Sequence, residues 1–325
     1  MTVNIDCKSA SSSRFGKSVS AQWDFFRRVL NQPKAIIGLV ILVLFMLMAI
    51  FAPLLAPYDP SEYVGLANQP PSAEHWLGTT GQGQDVFSQM IYGSRISLFI
   101  GFTVGIMSTL IGLIVGMIAG YLPGVVDGVL NVFTNVFLLI PGLPLLITLA
   151  SFLPQGMVTV ILVLSFTEWA WPARVFRSQM LCLREKDFVS ASVVSGERMP
   201  RIVFAEIMPN MLSLVISSLF GSVVYAIASD ASLAFLGFEN VNIVSWGTML
   251  YWASNSSALL QQAWWTFLPP GLCIALVSFS TTMLIYAMDE VTNPRLRSEK
   301  EITRVLNKYH IGSKRSTPVL HEPIE

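Results

Sequence analysis

Long stretches without a charged side chain constrain this sequence more than anything else in it. Residues 35–58 form a run of 24 with no Asp, Glu, Lys or Arg. The runs between Arg95 and Asp127, Asp127 and Glu168, Glu206 and Asp230, and Glu239 and Asp289 hold 31, 40, 23 and 49 residues. A helix crosses the hydrocarbon core of a bilayer in about 20 residues, so the first, second and fourth runs each fit one crossing. The run after Asp127 is too long for one helix and is interrupted near Pro141, Pro144 and Pro154. It reads as a crossing at about 128–150, followed by another at about 156–176 that carries Glu168 inside it. In the last run only 266–288 is densely apolar, and the polar, uncharged part before it reads as a loop with a short interfacial helix. The sequence therefore predicts an all-α integral membrane protein with six transmembrane helices.

Composition agrees. Charged residues make up 12% of the 325, against roughly 25% in soluble domains, and 53% are hydrophobic. A soluble enzyme of this size would need more surface charge. The net charge of +0 gives no sign of a nucleic-acid partner. Cys7, Cys182 and Cys273 are widely spaced and form no CxxC, and His75, His310 and His321 leave little for metal chemistry.

Lysine and arginine set the orientation. Six precede the first span (Lys8, Arg14, Lys17, Arg27, Arg28, Lys34), six follow the fourth (Arg174, Arg177, Arg184, Lys186, Arg198, Arg201) and seven lie in the tail. An even number of spans puts these 19 of the 20 positive residues on one side, leaving only Arg95 at the other. Both termini are thus expected in the cytoplasm. The expected layout is a cytoplasmic segment 1–34 whose residues 21–34 form an interfacial helix on membrane lipid, an uncleaved first span 35–58, and an external loop 59–95. A five-helix core 96–290 follows, with a cytoplasmic loop 172–206 and an external loop 229–264, and then a cytoplasmic tail 291–325.

Within this frame a few residues stand out. Gly112, Gly116 and Gly120, after Gly101 and Gly105, allow close helix approach, either inside the subunit or against a sliding partner. Glu168, beside Trp169, is an acid inside a span and a candidate for the transport pathway, as is Asp230. In the cytoplasmic loop, Asp187, Phe188, Val189, Ala191 and Ser192 fit a short helix ended by Gly196, with Arg201 just beyond. Such a helix suits docking into a partner's groove. The external loops carry the acids Glu62, Glu74 and Glu239, candidates for steering an external partner.

The cytoplasmic loop resembles the "EAA" loop of binding-protein-dependent ABC importer permeases, with Ala191, Gly196, Ile207 and Pro209 in register. The wider chain, over about residues 25–297, resembles the C-type permease of the dipeptide/oligopeptide/nickel branch. The likeness runs through His75-Trp76-Leu77-Gly78-Thr79, Asp85-Val86, Tyr92-Gly93, Arg95, Ala119-Gly120-Tyr121, Asp127, Phe235-Leu236-Gly237, Trp246-Gly247, Trp264-Trp265 and Pro294-Arg295-Leu296-Arg297. Thr80 and Gln84 stand where the family usually has Asp and Arg, and Asp230 where it usually has Glu. The resemblance implies the MetI-like fold of type I importers and an inner-membrane permease that forms half of the substrate path. It also implies a second, B-type permease subunit, two ATP-binding subunits that carry ATP and Mg, and an external substrate-binding protein. It implies a peptide cargo, with oligosaccharides or another small solute as alternatives.

No ATP site of its own is legible. Gly16-Lys17-Ser18 has Ser11 where a P-loop needs its first glycine, and no HExxH or GxSxG is present. A chain without these motifs and with a docking helix takes its energy from a partner, and is not itself expected to be an enzyme or to bind a cofactor. The second reading is an ion-coupled secondary transporter built around Glu168.

Overall fold

The structure, a computed structural model, describes residues 29, 30 and 32–292. Most of the interfacial helix expected over 21–34, the rest of the N-terminal segment and the tail from 293 lie outside the described residues.

Among those residues the fold is all-helical. The helices are α1 (Pro33–Ile50), α2 (Val86–Tyr121), α3 (Val125–Leu139), α4 (Gly142–Phe152), α5 (Met157–Glu168), α6 (Ala170–Arg184), α7 (Asp187–Val194), α8 (Met208–Phe235), α9 (Trp246–Asn255) and α10 (Leu268–Thr292). Five segments are long and apolar enough to cross a membrane: Pro33–Ile50, Val86–Tyr121, Met157–Arg184, Met199–Phe235 and Trp264–Glu290. A sixth crossing exists if the bent pair α3–α4 is taken as one span.

Several boundaries differ from the sequence reading, and proline explains most of them. The crossing expected over 128–150 is two arms at 88°, because Pro141 forces Ile140 into extended backbone (ψ 127) just where α3 stops. The loop expected over 172–206 is much shorter. Pro172 cannot donate to the carbonyl of Glu168, so it marks only the break at Trp169, and α6 continues to Arg184. The next span restarts at Met199 and passes through a π-helical turn, Ile202–Ile207. A wider turn absorbs Pro209, which would otherwise crowd the preceding carbonyls. The first helix ends at Ile50 rather than near residue 58, with Pro53 starting a separate single turn, Ala52–Leu55. α2 begins ten residues before the external loop was expected to end. Asp85 caps it by accepting from the Ser88 backbone N–H at 2.8 Å.

α2 is the central post. At 36 residues it is about 54 Å long. A Cβ on Gly101 or Gly105 would strike Ile227 and Val223 of α8. On Gly112, Gly116 or Gly120 it would strike α6, at Pro172, at the Ala173 carbonyl and at Met180 respectively, all within 2.8 Å. These glycines thus face helices of the same chain, so the reading of a glycine face turned toward a partner subunit does not hold. α1 packs on α10, where the Ser280 hydroxyl donates to the Gly38 carbonyl at 2.5 Å.

Candidate coupling and pathway site

The two ends of α2 carry different structures. Beside its C-terminus, α6 leads into α7. Arg184 donates to the carbonyls of Gly120 and Tyr121 at 3.3 and 3.4 Å, placing a cation on the carboxyl end of α2. One turn of chain later, α7 runs only eight residues. Gly196, with φ +74, ends it. The Gly196 N–H donates to the Val193 carbonyl and the Glu197 N–H to the Ser192 carbonyl, at 3.0 and 3.2 Å. These two bonds make a Schellman turn, which favours glycine because the left-handed region penalises a Cβ.

α7 is rooted by one residue. Val189 is 2% exposed and packs with Phe176, Leu183, Ile202 and Ile207. The other expected coupling residues lie outward. Asp187 and Ala191 are exposed and Ser192 is half-buried, its hydroxyl donating to the Phe188 carbonyl at 3.0 Å. Phe188, Val193 and Val194 present apolar surface, Val194 at 88% exposure. Arg201 pairs with Glu197 at 3.2 Å across the helix turn that follows. An ion pair that the sequence reading did not find anchors this end. Arg177 of α6 grips Asp127 of α3 through two bonds of 2.6 and 2.8 Å. The signal was available, since Asp127 is the single charge between two long apolar runs and needs a counter-charge nearby.

Midway along the helices, Glu168 is half-buried and lies close to Ser222 of α8. Three residues on, the Tyr225 hydroxyl reaches toward Gly142 at the start of α4. Trp169, by contrast, is buried, its ring 5.9 Å from Phe133 and 5.2 Å from Phe137. It packs α3 on the α5–α6 break.

At the N-terminal end of α2, the segments 56–85 and 236–267 fold over each other. Trp265 Nε1 donates to the Thr79 carbonyl and Trp246 Nε1 to the Met90 carbonyl, each at 3.1 Å. His75 Nδ1 lies 3.1 Å from Asp85. The Gln84 N–H donates to Thr80 Oγ1 at 3.2 Å, a neutral contact where the family resemblance implied two charges. Glu62 and Glu74 are exposed on this cap, but Glu239 is 0% exposed and does not reach its surface. Asp230 is buried as well, at 1% exposure and beside Glu239. Burial raises the Glu239 carboxyl to about 7. The cause is local. α8 runs to Phe235, past the expected loop start at 229, and Gly237 (φ +80) then reverses the chain so that Glu239 returns toward Asp230. Among the described residues, no group of three or more His, Cys, Asp or Glu converges to hold a metal.

A many-span helical bundle with a short exposed helix at one end and a self-packed cap at the other is the architecture of a multi-pass membrane protein. Residues 112–298 match the family of binding-protein-dependent transport system inner membrane components, and residues 21–71 match the N-terminal transmembrane domain of oligopeptide transport permease C. The chain is 35% identical over 284 residues to the oligopeptide transport system permease protein OppC of Bacillus subtilis, covering 86% of this chain and 92% of that one. It is 33% identical over 287 residues to the dipeptide transport system permease protein DppC of Alkalihalophilus pseudofirmus, with 86% and 92% covered. A putative peptide permease protein of Brucella suis is 32% identical over 270 residues, with 82% and 89% covered. The chain belongs to the binding-protein-dependent permease family and is a multi-pass inner-membrane protein.

Proposed function

We propose that this chain is the C-type permease subunit of an ATP-driven peptide importer. Both termini and α7 lie in the cytoplasm, and the cap of segments 56–85 and 236–267 lies outside. Two cytoplasmic ATP-binding subunits, which hold ATP and Mg, grip α7; a B-type permease forms the other half of the path; an external binding protein delivers the peptide to the cap. The single observation that carries this reading is α7 itself, which is short, closed by Gly196, apolar on its outer face and rooted only through Val189.

The geometry explains how a push on α7 travels. Val189 bears on Ile202 and Ile207 of the π turn, which continues directly into α8. α8 holds 28 residues, so a tilt at its base is carried about 33 Å to Asp230 and about 42 Å to the helix end beside the cap. Phe176 and Leu183 deliver the same push to α6, which the Arg177–Asp127 pair couples to α3. α3, α6 and α8 then move together between two arrangements, biased from a distant site. Glu168, Ser222 and Tyr225 lie where these helices meet the α3–α4 bend, and are the polar groups offered to a passing peptide.

The test is reconstitution. Proteoliposomes holding the chain with its ATPase and permease partners should accumulate a short peptide only with binding protein and ATP. Uptake driven by a proton or sodium gradient without ATP would overturn the reading.

A further inference from the structure

Arg95 is the least explained charged residue in the molecule. It is the only lysine or arginine between Lys34 and Arg174, and none occurs between Arg201 and Arg295. At the coupling end Arg174, Arg177, Arg184 and Arg201 each have a partner: the Asn135 amide oxygen, Asp127, the two α2 carbonyls and Glu197. Arg95 has none among the described residues, although Asp59, Glu62, Glu74 and Asp85 precede it at the same end of the molecule. Its side chain is exposed and lines a cavity of about 450 Å3, within the range of roughly 300–1,000 Å3 typical of small-molecule sites. Ser61 from one cap segment and Asn242 from the other form two of its walls. Ile96 and Phe99 of α2, with Met157 at the start of α5, form an apolar side. Arg95 stands 25 residues before Gly120, where the Arg184 cation marks the opposite end of α2. That is about 37 Å of helix, more than the ~30 Å hydrocarbon core, so the guanidinium stands clear of the acyl chains and under the cap.

We propose that this cavity is the subsite for the C-terminal carboxylate of an incoming peptide, with Arg95 as its anchor. The substrate class rests on the importer reading above; the anion chemistry of the cavity does not. A guanidinium meets a carboxylate through two parallel N–H donors. The side chain of the peptide's last residue then lies on Ile96, Phe99 and Met157, and the exposed Asn242 adds an amide to the same wall. The shape selects a chain end. Cap segments flank the cavity on two sides, so a carboxylate in mid-chain would have to bring two lengths of backbone past them, whereas a terminal carboxylate brings one. The charge selects which end. Glu62 and Glu74 are exposed on the cap and repel a carboxylate, so Arg95 is where that end of a peptide finds an opposite charge. Every linear peptide with a free C-terminus carries this group whatever its side chains, so the subsite reads the end of the backbone and not the sequence.

The experiment uses the full chain with its ATPase and permease partners in proteoliposomes. Equilibrium binding of radiolabelled alanyl-alanyl-phenylalanine, without ATP or binding protein, should be about tenfold tighter than binding of its C-terminal amide. Arg95→Gln should make the two equal. Arg95→Lys should keep part of the difference, since an ammonium retains the charge but not the fork. Ser61→Trp, which fills the cavity and leaves Arg95 in place, should weaken binding of the free acid about tenfold. Equal binding of acid and amide by the unsubstituted complex, no binding of either, or a preference that survives Arg95→Gln would overturn the proposal. So would an Arg95→Gln effect that is the same for both peptides and appears only in vesicles containing phosphatidylglycerol, which would assign the guanidinium to a lipid phosphate. Should the Arg95 variants fail to assemble, Ser61→Trp decides, and unchanged binding of the acid overturns the subsite. Preference for the acid without ATP-driven uptake would sink the importer reading and leave the subsite standing. ATP-driven uptake without that preference would do the reverse.

Discussion

The two ends of α2 solve opposite problems. At the cap, irregular backbone is satisfied by buried side chains. Trp265 donates to the loop carbonyl of Thr79, Gln89 Nε2 donates to the Pro60 carbonyl at 3.0 Å, and Trp246 donates to the Met90 carbonyl of α2. At the coupling end, the backbone is helical and satisfies itself, while Phe188, Val193 and Val194 stay uncovered. Irregular chain that must stay shut needs partners from within, since a buried unpaired carbonyl is costly. A helix that must be gripped from outside needs only a root and an apolar face. The cap is therefore predicted to be sensitive to what is removed, and the coupling end to what is added.

The largest effect that would break this contrast is at Trp246. Its ring is fully buried, packs edge-on to Phe45 at 5.7 Å and ties α9 to α2 through its indole N–H. Trp246→Ala should destabilise the subunit by about 3–5 kcal/mol. Thermal melting of the purified complex measures this, and a melting point equal to the unsubstituted complex would mean the cap is not a packed unit.

Next comes the post itself. A Cβ at Gly116 would lie 2.6 Å from the Ala173 carbonyl and 2.8 Å from Phe176. Gly116→Leu should cost about 1–3 kcal/mol or more by overpacking and prise α6 away from α2. Gly221→Ala, where nothing lies within 4 Å, should be close to neutral or stabilising. Equal losses at both positions would show that glycine in these helices matters for flexibility rather than for contact.

Much of this architecture was legible in the sequence. The charge-free runs gave the all-helical class and the five clear spans, and the ordered motifs gave the family. Gly196 was readable as a helix stop because only a few residue types tolerate its φ. What stayed hidden depends on long-range packing. Proline marked several of the interruptions but not their kind. Pro141 makes a sharp bend, Pro172 a small break and Pro209 a π turn, and the neighbouring helices decide which. The burial of Glu239 and Asp230 was not legible either. The chain reversal at Gly237 turns residue 239 back along the end of α8, and no spacing rule places it there.

At the coupling end, additions should matter more than deletions. Around Gly196 there is open space, so any cost of substitution inside this chain is the left-handed backbone alone, about 1–2 kcal/mol for Ala. Gly196→Ala should leave uptake measurable. Gly196→Trp should let the subunit insert and its ATPases hydrolyse ATP while peptide uptake falls to background, because the ring would fill the space a groove must occupy. Unchanged uptake by Gly196→Trp would remove α7 from the coupling path.

The smallest expected effect separates a cap that only seals from one that also greets a partner. Glu62 and Glu74 are exposed on it, whereas Glu239 is not. Exposed charges at the rim of an interface act mainly on the encounter rate and are screened within about 8–10 Å at physiological salt. Glu62→Gln with Glu74→Gln should therefore slow docking of the binding protein by a few-fold, about 1 kcal/mol or less, and flatten its dependence on salt. Folding should be unaffected, because neither side chain is buried. E239Q should leave docking rates and their salt dependence untouched, because Glu239 is buried. If instead E239Q alters docking and the surface pair does not, the acids that matter to the partner are those the cap exposes on opening. The partner would then recognise an opened cap rather than the closed one.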